Sequence, residues 1–241
     1  MRMNDYSALG LTFTLASFTV IILLLMGLPL AWSLSRYKGK FKPLIEATIA
    51  LPLVLPPTVL GFYLLLAFSP DTFIGALWLS VTGEQFVFSF AGILVGSIIY
   101  SMPFVFQPLV AAFEQHAETT IQRASTLGIS RSKAVTLLLL PQIKPAIVTA
   151  ITLGFAHTLG EFGLILMIGG NIPGETQVVS IALFNHVETL NYTSAHNLAM
   201  VLLGLSFIML ALLYRFNRNQ PKLFVRRQNK DKDSSTDKGY H

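Results

Sequence analysis

The sequence predicts an all-α, polytopic membrane protein with five transmembrane helices. Three observations lead there. Charged residues make up only 12% of the 241 positions while 53% are hydrophobic, and a soluble domain usually carries about twice that charge. The mean hydropathy is +0.61. The apolar residues are gathered into five runs of membrane-spanning length, and none of the five contains Lys or Arg.

The runs cover residues 10–35, 44–68, 86–109, 145–168 and 196–214. Positive charge alternates between the segments that separate them. Arg36, Lys38, Lys40 and Lys42 follow the first run, Arg123, Arg131, Lys133 and Lys144 follow the third, and eight more Lys or Arg follow the fifth. The segments after the second and fourth runs contain none, although Asp71, Glu84, Glu175 and Glu188 lie there. The positive-inside rule therefore puts the basic segments in the cytoplasm, the amino terminus (residues 1–9) outside and the carboxyl terminus inside. An odd number of spans requires the same arrangement. The formal net charge of +5 is thus a product of topology, and no basic helix or aromatic signature for nucleic acid accompanies it. The first run is longer than a signal-peptide core of about 7–15 residues and its basic residues follow it, so it is expected to stay as a helix. Residues 10–216 form one transmembrane domain without internal repeats. Residues 217–241 form a basic cytoplasmic tail whose end has nothing to bury and is expected to be disordered. Having no cysteine excludes disulfides, thiolate metal sites and a thiol nucleophile.

Helix breakers at membrane depth mark places where protein or water, rather than lipid, meets the chain. The second run holds Pro52, Pro56 and Pro57, followed by Gly61, which predicts a kink. The fourth holds His157 and Glu161, with Gly160 and Gly163 beside the acid. The spacing puts His157 and Glu161 on one helix face. A metal site, a proton relay and a hydrogen-bonded pair facing a translocation path all fit them, and two ligands without a third disfavour metal. Glu46 lies near Lys42 at the cytoplasmic end of its run. Between runs three and four, residues 114–141 are too long for a simple turn. Ile121, Ala124 and Leu127 repeat at helical spacing, Gly128 suits a left-handed stop, and Ser130 can cap a second short helix carrying Ala134, Val135, Leu137 and Leu138.

The stretch "QRASTLGISRSKAVTLLLLP" resembles the EAA loop of ATP-binding-cassette import permeases: Glu-Ala-Ala, three residues, Gly, nine residues, Ile, any residue, Leu-Pro. Gln122, Arg123 and Ala124 take the opening positions, Gly128 the glycine, Leu138 the isoleucine, and Leu140 and Pro141 the end. Gln and Arg depart from the pattern at its front. "LPLVLPPTVLGF", "LGEFG" and "NIPGET" (Asn171, Pro173, Gly174, Glu175 and Thr176 among its residues) resemble molybdate permeases of that superfamily, over residues 8 to 216. Sulfate and tungstate permeases share the second motif in related form.

The resemblance implies a type I import permease fold in the cytoplasmic membrane and a homodimer embedded in lipid. It also implies a cytoplasmic ATPase docked on the loop at Gln122 to Pro141, including Leu127, and an extracytoplasmic oxyanion-binding protein. No cofactor is expected on this chain; ATP and Mg belong to the partner. Its residues agree, because no phosphate-loop motif is present: the pair Gly39-Lys40 is followed by Phe41. With no Lys or Arg in the spans, the expected path is a low-affinity conduit lined by hydroxyls of Thr58, Thr152 and Thr158 and by groups freed at the prolines, with Glu161 paired or gating. Undiminished uptake in Glu161→Gln would remove that acid from the functional residues. A sulfate or tungstate permease, a proton-coupled secondary transporter and a structural scaffold are the competing readings.

Overall fold

The structure, a computed structural model, describes residues 3–217. All but the first residue of the expected basic tail lies outside these residues. The chain folds into α1 (Met3–Arg36), α2 (Lys42–Val54), α3 (Pro57–Phe68), α4 (Phe73–Thr82) and α5 (Phe90–Thr126). Then come α6 (Arg131–Ala134), a π-helical stretch (Val135–Leu139), α7 (Leu140–Gln142), α8 (Lys144–Leu159), α9 (Gly163–Gly169), α10 (Val179–Glu188) and α11 (Tyr192–Asn217). Among the described residues, α1, α5 and α11 are each long and apolar enough to cross a membrane alone. Two bent pairs, α2 with α3 and Arg131–Gln142 with α8, raise the number of spans to as many as five.

The expected kink in the second span is a full break: α2 and α3 meet at 110°. Proline stereochemistry explains it. A residue that precedes proline is pushed out of the helical region, and both Leu55 (ψ 133°) and Pro56 (ψ 136°) stand in that position and are extended. Pro57 then opens α3 at a first-turn position, where its missing amide costs nothing. Pro52 stays buried inside α2 and does not make the break.

Helix α5 is the centre of the fold, packing on α1, α8, α9 and α2. In its second half it shares a core of Leu23, Phe106, Leu109, Phe113, Leu139 and Ile143. Its other half packs Ile93 against Leu15, Leu164, Ile165, Ile168 and Ile181. Helix α9 sits so close to α3 that a Cβ added to Gly61 would lie 2.9 Å from Met167 Cβ. Gly61 is therefore a packing contact, as is buried Gly163, which borders Pro57 and Thr58.

Two features differ from the sequence expectation. The first part of the 114–141 segment is not a separate helix: α5 runs unbroken to Thr126, starting from a Ser89 cap whose Oγ accepts from Gly92 N–H at 3.1 Å. The segments after the second and fourth runs are not plain loops, since they contain α4 and α10. Two polar contacts fasten α10 along α1: Val179 N–H donates to Thr12 Oγ1 at 2.8 Å, and His186 Nε2 lies 2.8 Å from Asp5 Oδ1. The contacts are seven residues apart on both helices and run in opposite order, so the two pack antiparallel.

Candidate functional site

The turn after α5 closes that helix in a glycine-terminated motif. Gly128 N–H donates to the Ser125 carbonyl at 3.1 Å and Ile129 N–H to the Ala124 carbonyl at 2.9 Å. This is the Schellman pairing, which needs a left-handed residue at its centre; Gly128 has φ +70°. Ser130 stands at the start of α6 without a side-chain capping bond, contrary to the expected cap. The hairpin is instead closed by Thr120 Oγ1, which donates to Gln142 Oε1 at 2.8 Å. Ala124 is buried behind the turn while Gln122, Arg123 and Gly128 are exposed. Leu127 is 75% exposed and Leu137 67%. Further on, Leu138 and Leu140 are half-buried and Pro141 is exposed, just past the π-helical stretch. The turn thus presents two large apolar side chains from a framework anchored by Leu139 and Ile143.

In the second candidate region, His157 and Glu161 do not share a helix face. Helix α8 ends at Leu159, Gly160 caps it, and Phe162 (φ −127°, ψ −64°) turns the chain before α9. Each partner comes from α5. Ser97 Oγ donates to Glu161 Oε2 at 2.9 Å, and Ser101 Oγ lies 2.9 Å from His157 Nδ1. The two serines are four residues apart, on one face of α5. Glu161 is 3% exposed, and its Oε1 makes no hydrogen bond. Its backbone carbonyl accepts from Ser180 Oγ of α10. This acid therefore ties the break to α5 by its side chain and to α10 by its main chain. No group of three or more potential metal ligands occurs among the described residues.

The hydroxyls expected along a path are differently placed. Thr152 Oγ1 donates to the Val148 carbonyl at 2.9 Å and Thr158 Oγ1 to the Gly154 carbonyl at 3.0 Å, both within their own helix. Thr58 is exposed beside the α2–α3 break.

Asn171 to Thr176 form a compact turn between α9 and α10. Thr176 Oγ1 donates to the Gly169 carbonyl and accepts from Ile172 N–H at 2.9 Å. Asn171 (φ +61°) exchanges amide hydrogen bonds with Asn185, and Gly174 takes φ +83°. Pro173, Gly174 and Glu175 form the exposed tip.

Residues 23–220 match the family described as the binding-protein-dependent transport system inner membrane component. The chain belongs to this family. It is 46% identical over 215 residues, 89% of this chain and 95% of the other, to the molybdenum transport system permease protein ModB of Azotobacter vinelandii. It is 34% identical over 184 residues to the sulfate transport system permease protein CysT of Escherichia coli K12, covering 76% of this chain and 66% of that one. In fold it is similar to a bacterial ABC transporter that imports alginate, with a TM-score of 0.73, 17% identity, and coverage of 92% and 82% of the two chains. The MetNI methionine ABC transporter in inward-facing conformations follows at a TM-score of 0.63, 17% identity, and coverage of 89% and 93%. The chain is thus a multi-pass ABC-importer permease of the ModB and CysT type, a transport subunit and not itself an enzyme.

Within the permease, Leu127 and Gly128 lie in the turn and Leu140 and Pro141 at the far end of the following segment, while sequence reasoning did not single out the serine pair Ser97 and Ser101. The i, i+4 spacing of those serines on a long apolar helix is the signal that could have shown them. The turn at Asn171 to Thr176 has a structural role that can be measured. Thr176→Ala strands the part-buried Ile172 amide and the buried Gly169 carbonyl, and is expected to lower the stability of the purified permease by about 1–3 kcal/mol. Thr176→Ser, which keeps the hydroxyl, should unfold near the wild-type temperature; equal loss in both variants would show that the methyl group, not the hydrogen bonds, holds the turn.

Proposed function

We propose that this permease moves molybdate inward across the cytoplasmic membrane. The observation that carries the substrate is the 46% identity to a molybdenum permease across 95% of that chain. In this reading two copies enclose the path, embedded in lipid, with the amino terminus outside and the carboxyl terminus in the cytoplasm. Each copy presents the turn at Gln122 to Pro141 to a separate ATPase, which holds ATP and Mg. The exposed Leu127 and Leu137 on a rigid Gly128 turn suit a protein groove better than water. An extracytoplasmic oxyanion-binding protein delivers the substrate near the outer turns, and a solved relative in complex with its periplasmic protein supports such a partner. The absence of Lys and Arg from the spans suits brief passage rather than tight capture, which leaves selectivity mainly to the binding protein.

Elemental analysis of cells with and without the gene, at limiting molybdate, tungstate or sulfate, tests the proposal. Loss of molybdenum accumulation with sulfur intact is the expected result. Loss of sulfur instead would transfer the substrate to sulfate, the reading that the CysT similarity favours.

A further inference from the structure

Three hydrogen bonds around His157 fix the position of its proton. Thr158 Oγ1 lies 3.0 Å from the Gly154 carbonyl, and only the threonine can supply the proton between them. Ser101 Oγ lies 3.0 Å from Thr158 Oγ1, so with the Thr158 proton committed, Ser101 donates to Thr158. The Ser101 hydroxyl then has no proton left for His157 Nδ1 at 2.9 Å, and the ring nitrogen donates to it. The opposite setting, with Thr158 donating to Ser101 and Ser101 to Nδ1, leaves two oxygens facing each other at 3.0 Å without a proton. Only the first setting satisfies all three contacts.

Nε2 is therefore the ring atom free to gain or lose a proton, and it makes no hydrogen bond among the described residues. The ring is half-buried, stacked on Phe104 at 4.0 Å and tilted against Tyr100 at 4.6 Å. At this depth an open ring nitrogen facing acyl chains is costly, and water, a second copy or a solute must meet it. Resting on the reading of the chain as an oxyanion importer, we propose that His157 contacts the oxyanion within the membrane and shares one proton with it at Nε2.

The proton count is the same by two routes. An imidazolium donates Nε2–H to an oxygen of the dianion, or the neutral ring accepts from the hydroxyl of the hydrogen-oxyanion. Between the two, one N–H bond is exchanged for one O–H bond and nothing else changes. Ring and oxyanion together carry a monoanion's charge in either case. Because the desolvation cost of an ion grows with the square of its charge, this relieves the main obstacle to a dianion in spans without Lys or Arg. The relay suits both forms, since Nδ1–H donates to Ser101 whatever the state of Nε2, and the Phe104 face favours a cationic ring. The other ionisable group in contact with the ring is Tyr100 of α5; Glu161, four residues on, is held by Ser97. Helices α1 and α11, which also pack on α8, carry ionisable groups only near their ends.

The test uses the complete importer, with its ATPase and binding protein, in proteoliposomes, and reads molybdate moved per ATP hydrolysed across about pH 5 to pH 8. Wild-type transport should vary with pH. His157→Gln and His157→Phe should move about tenfold less per ATP, the equivalent of one charge-assisted hydrogen bond, with a flat profile. A purely structural histidine would lower complex yield and leave the profile unchanged. Wild-type rate and profile in His157→Phe would overturn the proposal, and His157→Gln decides alone should the phenylalanine variant not assemble. If the wild-type complex moves sulfate and not molybdate, the substrate reading fails, and the same comparison on sulfate still decides the role of His157.

Discussion

Replacing Gly128 by aspartate is expected to leave the permease in the membrane at near wild-type level and to abolish uptake. Gly128 has φ +70°, and a Cβ built on it meets nothing within 4 Å. The fold therefore has room for a side chain, and the conformational cost is about 1–2 kcal/mol for an L-residue in the left-handed region. A surface turn can absorb that without losing helices that are held by Leu139, Ile143 and Phe113 behind it. The cost falls instead on whatever covers the turn. Leu127 beside it is an exposed apolar residue, and a carboxylate next to it would have to be desolvated when a partner docks on the turn. A loss of about 2 kcal/mol or more at such a centre weakens docking by a factor of about 30 or more. Gly128→Asn separates the two causes, because asparagine tolerates the left-handed conformation and brings no charge. It should retain part of the uptake. Membrane level is read by immunoblot and uptake by elemental analysis; wild-type transport in Gly128→Asp would refute the docking role.

That turn was legible in the sequence because its determinants are local. A glycine, a helical apolar repeat and a Leu-Pro pair lie within some twenty residues, and the alternation of Lys and Arg between the runs predicts a topology without knowledge of any contact. The continuity of α5 was hidden because Glu114, Glu118 and Arg123 end the apolar run, so the helical repeat at Ile121, Ala124 and Leu127 read as a separate short helix. Helix α10 was hidden for a different reason. Ten residues rarely hold a helix alone, and what fixes this one are Thr12 and Asp5, more than 160 positions earlier. The break at Pro56 and Pro57 was visible as a kink, but its angle depends on two consecutive residues each preceding a proline. For His157 and Glu161 the spacing misled, since Gly160 ends the helix between them and the true partners, Ser97 and Ser101, lie on another helix.

Those partners change what substitutions at Glu161 should do. Glutamine has the shape of glutamate and keeps an oxygen for the Ser97 hydroxyl, so Glu161→Gln is expected to transport close to wild type. Such survival no longer removes the residue from the functional set, because the structure gives it a positioning role that does not require charge. Glu161→Leu is the decisive variant. It leaves the buried Ser97 hydroxyl without its acceptor, at a cost of about 1–3 kcal/mol, and releases the α8–α9 break from α5. The break also carries the Ser180 contact to α10, which is fastened to α1, so its displacement is passed to both helices. Uptake should fall about tenfold or more in Glu161→Leu, as expected where a loss of this size falls on a step of transport. Ser97→Ala removes the same bond from the other side, so the double variant should be no worse than Glu161→Leu alone, the signature of two residues acting through one contact. Full transport in Glu161→Leu would show that the bond does not position the break. Loss in Glu161→Gln as severe as in the leucine variant would instead require an ionisable group at this position, and would make Glu161 a charge gate.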